Sequence, residues 1–172
     1  FQDRSEVSVE EYIYMVSGKT AALIEASAAI GAMVATDDGD IIKRFRTFGR
    51  KIGIGFQIRD DILGIWGNPD NTGKSSRNDI RNKKKSLPVL YAMETSGHKA
   101  ELNKIYAKKK LNDSDIARVL DILTEAGSLE YTQGEATRYR DEALAQLDGL
   151  RLHSEPMEKL RAIGLFLVER DY

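Results

Sequence analysis

The chain has 172 residues, of which 26 are Lys or Arg and 27 are Asp or Glu, so its formal net charge is -1, and it contains no cysteine. This length suits one domain that buries about 70% of its unfolded surface, and the balanced charge gives no basis for a nucleic-acid partner. The lack of cysteine excludes disulfides, cysteine-ligated zinc and thiol nucleophiles. The apolar run 20–36 contains Glu25 and is too short and polar to indicate an integral membrane segment. Residues 1–12 lack the apolar stretch of a signal peptide, so we expect a cytoplasmic protein.

Apolar residues recur with a helical period along most of the chain, and no alternating run longer than about five residues favours a strand. The pattern predicts helices at 9–34, from an N-cap at Asp40 to 63, and at 87–95, 113–125, 129–147 and 156–169. Gly127 and Gly149 are placed to end helices, and Pro88 lies where a first helical turn tolerates proline. The sequence therefore predicts an all-α domain.

Two features interrupt this pattern. Gly49, Gly53 and Gly55 lie inside the second helix, where each costs up to about 1 kcal/mol in helix propensity, so we expect another backbone or a ligand to approach closely. Residues 67–86 form a polar, mostly basic segment that predicts one loop.

The stretch GNPDNTGKS at 67–75 looks like a nucleotide-binding P-loop. A P-loop needs four residues between its first and second glycines, follows a strand and opens a helix. Five residues separate Gly67 from Gly73, the preceding segment is helical in period, and the following one has no apolar face. We therefore reject a P-loop.

An acid pair precedes that stretch. On a helix, Gln57 lies three residues from Asp60 and four from Asp61, so the amide and both carboxylates can converge on one side. Oxygen ligands without His or Cys favour a hard ion such as Mg²⁺. The alternative is a solvated acidic turn near a helix end. Lys19, Lys74 and Lys84 favour the first interpretation, because lysines around a carboxylate-held Mg²⁺ suit a diphosphate.

Four motifs in order resemble those of the trans-isoprenyl diphosphate synthases, the polyprenyl synthetase family. The motifs are GKTA at 18–21, FQIRDD at 56–61, TGK at 72–74 and KKSLP at 84–88. The form DDILGIWG at 60–67 resembles geranylgeranyl-type synthases. The resemblance implies the isoprenoid synthase fold, a bundle of antiparallel helices around a central cavity. It also implies a Mg²⁺-dependent reaction that condenses isopentenyl diphosphate with an allylic diphosphate.

The resemblance also implies roles for individual residues. Asp60 would ligate Mg²⁺, and Asp61 would assist directly or through water. Diphosphate binding would fall to the three lysines, Lys19, Lys74 and Lys84. Lys19, Thr20 and Gln57 would serve the reacting end, where oxygens can stabilise developing positive charge.

The chain departs from the family pattern in two places. Gly64 stands where the second motif has its third aspartate, and no first aspartate-rich motif is present. We therefore expect residues 1–172 to be the C-terminal part of one polyprenyl synthetase domain, inactive alone and homodimeric in its full-length form. Two alternatives remain: a non-catalytic helical subunit of a longer synthase, and a class I terpene cyclase.

Overall fold

A computed structural model describes residues 4, 6–68 and 77–171. The described residues contain helices and no strand, which confirms the predicted all-α class. In chain order, the α-helices are α1 Val9–Val16, α2 Ala22–Ala35, α3 Gly39–Trp66, α4 Asn78–Arg81, α5 Leu87–Thr95, α6 Lys99–Tyr106, α7 Asp113–Glu125, α8 Ser128–Leu144 and α9 Ser154–Glu169. A π-helical turn, Ser17–Ala21, joins α1 to α2, and a 3-10 turn, Ala145–Leu147, extends α8.

The start of α3 differs from the sequence prediction. The helix begins at Gly39, and the Asp38 carboxylate accepts hydrogen bonds from the backbone N–H groups of Asp40 (2.9 Å) and Ile41 (3.3 Å). Asp38 is therefore the N-cap, and the prediction of Asp40 is wrong by two residues. Asp40 lies in the first turn, where its negative charge favours the positive end of the helix dipole.

Two helix ends follow the predicted chemistry, and two short helices do not appear in the sequence pattern. Gly127 and Gly149 adopt φ values of 65° and 70°, in the left-handed region that glycine reaches without strain, just after α7 and after the extension of α8. Helix α4 lies inside the predicted loop 67–86, and α6 was not predicted. Both are short, and periodicity over so few residues is a weak signal.

The contacts between residues divide the chain into two compact units. The first unit holds the described residues within 4–12 and 60–133 together with residue 171, and the second holds 13–59 and 134–170. In the first unit α5 contacts α6 and α7. Its apolar core includes the fully buried residues Ile80, Leu87, Leu90, Leu102, Ile116, Ile122 and Leu123.

Small residues allow close helix packing in the second unit. A Cβ atom on Gly53 would lie 2.5 Å from Ala21 Cα, and one on Gly49 would lie 2.6 Å from the carbonyl oxygen of Ile24. A Cβ on Gly55 would lie 3.1 Å from Val168 Cγ2. The predicted close approach at these glycines is confirmed, and protein atoms make the approach.

Among the described residues, the continuous helical segment Val9–Ala35 is long and apolar enough to cross a membrane by length and composition. Only 17% of its most apolar stretch is buried. Core helices of soluble proteins can have the same length and composition. Large apolar side chains along it are exposed: Tyr14, Leu23, Ile30, Met33 and Val34.

Candidate active site

Asp61 anchors a polar cluster in the first unit. Its side chain is fully buried, and its Oδ2 atom accepts hydrogen bonds from the Tyr12 hydroxyl (2.7 Å) and from the Leu87 backbone N–H (3.0 Å). The Leu87 amide belongs to the first turn of α5, where unpaired N–H groups favour a carboxylate. Lys84 Nζ donates to Asp61 Oδ1 (3.0 Å). Asp61 therefore fastens the end of α3 to α1 and to the start of α5.

The Lys84 ammonium lies among three carboxylates. Its Nζ atom is 2.8 Å from Asp79 Oδ2, 3.0 Å from Asp61 Oδ1 and 3.9 Å from Asp60 Oδ2. Burial alone would lower the pKa of Lys84, but attraction to Asp61 and the hydrogen bond to Asp79 outweigh it and raise the pKa above its ordinary value. Lys84 is therefore held in its charged form.

Asp79 is the member of this cluster that the sequence analysis missed. It lies on α4, and a compact turn links it to Lys84, whose backbone N–H donates to the Asp79 carbonyl (2.9 Å). Burial has the largest effect on the pKa of Asp79 and raises it. Lys84 lowers the pKa and the neighbouring Asp61 and Asp60 raise it, so the pKa of Asp79 lies above its ordinary value. The only sequence signal was an acid five residues before Lys84, inside a segment that reads as a basic loop.

Exposure separates the three carboxylates. The Asp60 side chain is 34% exposed, Asp79 is 15% exposed and Asp61 is fully buried. Of the three acids, Asp60 therefore has the most solvent-exposed side chain.

Burial raises the pKa of the Tyr12 hydroxyl well above its ordinary value, and the charge of Asp61 raises it further, so the hydroxyl stays a donor.

The donor chemistry fits Mg²⁺. The acidic side chains of the cluster offer only oxygen ligands, which a hard cation prefers. Its three carboxylates carry more negative charge than the one Lys84 ammonium balances. Within the part of the chain that the structure describes, no three or more Asp, Glu, His or Cys side chains are arranged to enclose a metal ion. Mg²⁺ is commonly held by one or two carboxylates together with substrate phosphates, so an incomplete protein cage agrees with this ion.

The second unit contains another group of the predicted residues. Thr20 Oγ1 donates to Gln57 Oε1 (2.9 Å), which links the π-helical turn to α3. Lys19, on the same turn, lines a cavity of about 480 Å³ together with Glu25 and Arg50, whose charged groups are 3.6 Å apart. Single π-helical turns inside α-helices frequently mark functional sites, because they displace side chains from the regular helical register.

The structure thus gathers the predicted residues as two groups. Asp60, Asp61 and Lys84 form one with Asp79, and Thr20 contacts Gln57 in the other. Lys74 lies outside the described residues. The individual roles of all seven predicted site residues stay predictions.

Comparison with known proteins identifies the family. Residues 1–123 match the family model described as polyprenyl synthetase. The chain is 38% identical to geranylfarnesyl diphosphate synthase of Aeropyrum pernix over 171 residues, which cover 99% of this chain and 53% of that protein. It superposes on the crystal structure of geranylgeranyl pyrophosphate synthetase from Pyrococcus horikoshii with a TM-score of 0.89 and 37% identity, covering 99% of this chain and 52% of that one.

A further solved relative is geranylgeranyl pyrophosphate synthase from Corynebacterium glutamicum, complexed with isoprenyl diphosphate and magnesium. Its TM-score is 0.85 at 29% identity, over 96% of this chain and 48% of that one. The chain spans about half the length of the relatives it matches. Its helices are those of the isoprenoid synthase fold, as the resemblance implied. By family model, sequence identity and fold, the chain belongs to the polyprenyl synthetase family.

Proposed function

We propose that this chain is the C-terminal part of a Mg²⁺-dependent polyprenyl diphosphate synthase. The complete enzyme would condense isopentenyl diphosphate with an allylic diphosphate in isoprenoid biosynthesis. The observation that carries the proposal is the cluster in which Asp60, Asp61 and Lys84, all predicted from the family motifs, meet in space. The Corynebacterium glutamicum relative, solved with isoprenyl diphosphate and magnesium, supports the choice of substrate class and ion.

The arrangement supports a division of labour. Asp60 is the proposed Mg²⁺ ligand because it is the most exposed carboxylate of the cluster, and the buried Asp61 fixes the geometry around it, directly or through water. The family resemblance, rather than this arrangement, assigns Lys19, Lys74 and Lys84 to the charge of the allylic diphosphate. Bound Mg²⁺ would supply further positive charge that favours diphosphate departure.

Thr20 and Gln57 would act on the positive charge that develops on the allylic group. Their hydrogen bond orients the Gln57 amide oxygen, and an oriented oxygen can stabilise positive charge that develops as the diphosphate leaves. Lys19 neighbours Thr20 on the same π-helical turn and would hold the departing diphosphate. None of these roles involves the long apolar prenyl chain.

Product analysis tests this function. A complete synthase containing this chain is incubated with an allylic diphosphate and Mg²⁺, with and without isopentenyl diphosphate. We expect a longer prenyl diphosphate that forms only when both substrates are present. A cyclic hydrocarbon formed without isopentenyl diphosphate would instead indicate a class I terpene cyclase.

The chain matches only about half the length of its relatives, and this also favours a second candidate, a non-catalytic subunit that binds a longer synthase. The sequence of the parent reading frame and the intact mass of the native protein distinguish the two. An upstream first aspartate-rich motif in the same frame supports the synthase. Copurification of a naturally short chain with a longer synthase, without Mg²⁺-dependent diphosphate binding, supports the subunit.

The complete enzyme is further proposed to be a cytoplasmic homodimer without an integral membrane segment. Light scattering of the purified enzyme measures its oligomeric state. Cell fractionation tests its location, and recovery in the membrane pellet after a salt wash would contradict it.

A further inference from the structure

The space beside Gly64 is occupied by another residue's carboxylate. Gly64 lies four residues after Asp60 on α3, on the same side of the helix. A Cβ atom on Gly64 would overlap the carboxyl carbon and both carboxyl oxygens of Asp79. Glycine is therefore the residue that admits Asp79 at this position, and the carboxylate of Asp79 lies where a side chain at residue 64 would begin.

The turn that delivers Asp79 is held in an unusual backbone conformation. Arg77 and Lys83, on either side of α4, have φ values of 63° and 53°, in the left-handed region that non-glycine residues rarely adopt. Backbone hydrogen bonds close the turn, from Lys83 to Ile80 (2.8 Å) and from Lys84 to Asp79 (2.9 Å). Such conformations persist where the surrounding structure fixes them, so the turn holds Asp79 and Lys84 in a set relation.

Asp79 also determines where the Lys84 ammonium lies. Together with Asp61 it holds Nζ at hydrogen-bond distance, whereas Asp60 Oδ2 lies 3.9 Å away, beyond that distance. Without the Asp79 charge, the nearest carboxylate among the described residues to share the ammonium with Asp61 would be Asp60. An ammonium bound directly to Asp60 would compete with a divalent cation for the same oxygens.

We propose that Asp79, seated over Gly64, is a positioning residue that keeps the Lys84 ammonium on Asp61 and thereby preserves the affinity of Asp60 for a divalent cation. Asp79 acts through Lys84 and is not itself a metal ligand. The inference rests on the proposed function of Asp60, and it assigns to α4 a role that no sequence motif indicated.

Mn²⁺ binding, followed by electron paramagnetic resonance, tests this role on the protein with inorganic diphosphate present. Asp79→Asn keeps the size of the side chain and removes its charge, so we expect Mn²⁺ affinity to fall by about tenfold, the low end of the loss caused by replacing a residue that supports a metal site without ligating it. Asp121→Asn, an exposed acid on α7, is the matched control and should bind Mn²⁺ as the wild type does.

A relocation variant makes the test specific. Gly64→Asp combined with Asp79→Gly moves the carboxylate from α4 to α3 within the same space, and we expect it to bind Mn²⁺ at least threefold more tightly than Asp79→Gly alone. Circular dichroism establishes that each variant is folded. A purely structural role for Asp79 would lower the thermal stability of Asp79→Asn and leave Mn²⁺ affinity unchanged, which would overturn the inference.

The outcomes separate the two proposals. Mn²⁺ binding by the wild type that Asp79→Asn does not weaken rejects the role of Asp79 and leaves the proposed function standing. A relocation variant no better than Asp79→Gly alone also rejects it. A wild-type protein that binds no Mn²⁺ in the presence of diphosphate contradicts the proposed function, and the inference falls with it.

Discussion

Asp60 and Asp61 are adjacent in sequence and occupy different environments. Asp61 is fully buried and accepts hydrogen bonds from a tyrosine hydroxyl, a helix N-terminal amide and an ammonium. Asp60 is one-third exposed, at the rim of the same cluster. The helical period explains the difference, because consecutive residues point about 100° apart around the helix axis.

Asp61→Ala is expected to destabilise the fold by about 3 kcal/mol or more, because it leaves the Tyr12 hydroxyl, the Leu87 N–H and the Lys84 ammonium without this buried partner. Asp60→Ala should change stability by less than about 1 kcal/mol, since its side chain is partly exposed. Urea unfolding measures both free energies.

In the complete enzyme, turnover per folded molecule should fall far more for Asp60→Ala than for Asp61→Ala. Equal stability of the two variants in urea would contradict the structural role of Asp61. Near-wild-type turnover of both would contradict the metal assignment.

At the element scale, α3 packs against its neighbours in the second unit through its glycines. Gly53 faces Ala21 at the end of the π-helical turn, and this contact brings the turn that carries Lys19 and Thr20 against α3. The spacing of the glycines was visible in the sequence, but the π-helical turn was not. A π-helical turn inserts one extra residue into a helix and has no characteristic amino-acid composition, so the periodicity of the sequence does not reveal it.

Gly53→Ala is expected to destabilise the protein by about 2 kcal/mol, because the added methyl group would lie 2.5 Å from Ala21 Cα and the helices must separate. Gly31→Ala is the matched control: apart from its chain neighbours and its own helix backbone, no atom of the described residues lies within 4 Å of its added Cβ, so helix propensity should stabilise the protein by up to about 1 kcal/mol. Thermal unfolding compares the two. A stabilising Gly53→Ala would show that the helices do not pack this closely.

A second element-scale prediction concerns the ion pair between α6 and α7. Arg118 donates to both carboxylate oxygens of Glu101 (2.8 and 2.9 Å), and this hydrogen bonding, with a contribution from His98, lowers the pKa of Glu101 to about 2. Because the folded-state pKa lies below the ordinary value of 4.5, the pair stabilises the protein above that pH and is lost as pH falls towards 2.

Thermal melting from neutral pH down to about pH 2 measures this effect. We expect the loss of melting temperature in acid to be smaller in Glu101→Gln than in the wild type. Identical acid dependence of the two proteins would mean that Arg118 does not hold Glu101 in solution.

For the whole molecule, the dominant fact is that the chain corresponds to about half of its relatives. The segment Val9–Ala35 carries apolar side chains that the described residues leave uncovered: Leu23 is 75% exposed and Val34 is 85% exposed. Together with Ile30, they recur at intervals of seven and four residues, which places them on one face of the helix. Contiguous exposed apolar surface of this kind promotes association.

The chain is therefore expected to self-associate at micromolar concentrations, and Leu23→Lys combined with Val34→Lys should shift it towards the monomer. Sedimentation velocity measures the distribution. Leu152→Lys, at an exposed leucine outside the face, is the control and should leave association unchanged. Pelleting of a monomeric wild-type chain with neutral phospholipid vesicles would instead assign the face to a membrane surface.

Helical periodicity and short motifs are local properties of a chain, so the all-α class, most helix positions, the family and the proposed roles of the acid pair and lysines could be predicted from the sequence. Tertiary structure decided what surrounds them. It brought the Tyr12 hydroxyl and the Leu87 amide to Asp61, and it placed Asp79 on the same Lys84 ammonium as Asp61, although Tyr12 lies 49 positions from Asp61 and these residues belong to no common motif.

Gly64 shows the difference most directly. The sequence presents it as the position of a missing carboxylate, whereas the structure fills that position with the carboxylate of Asp79 from another helix. Sequence patterns record which residues follow one another, and only packing determines which side chain occupies a given space.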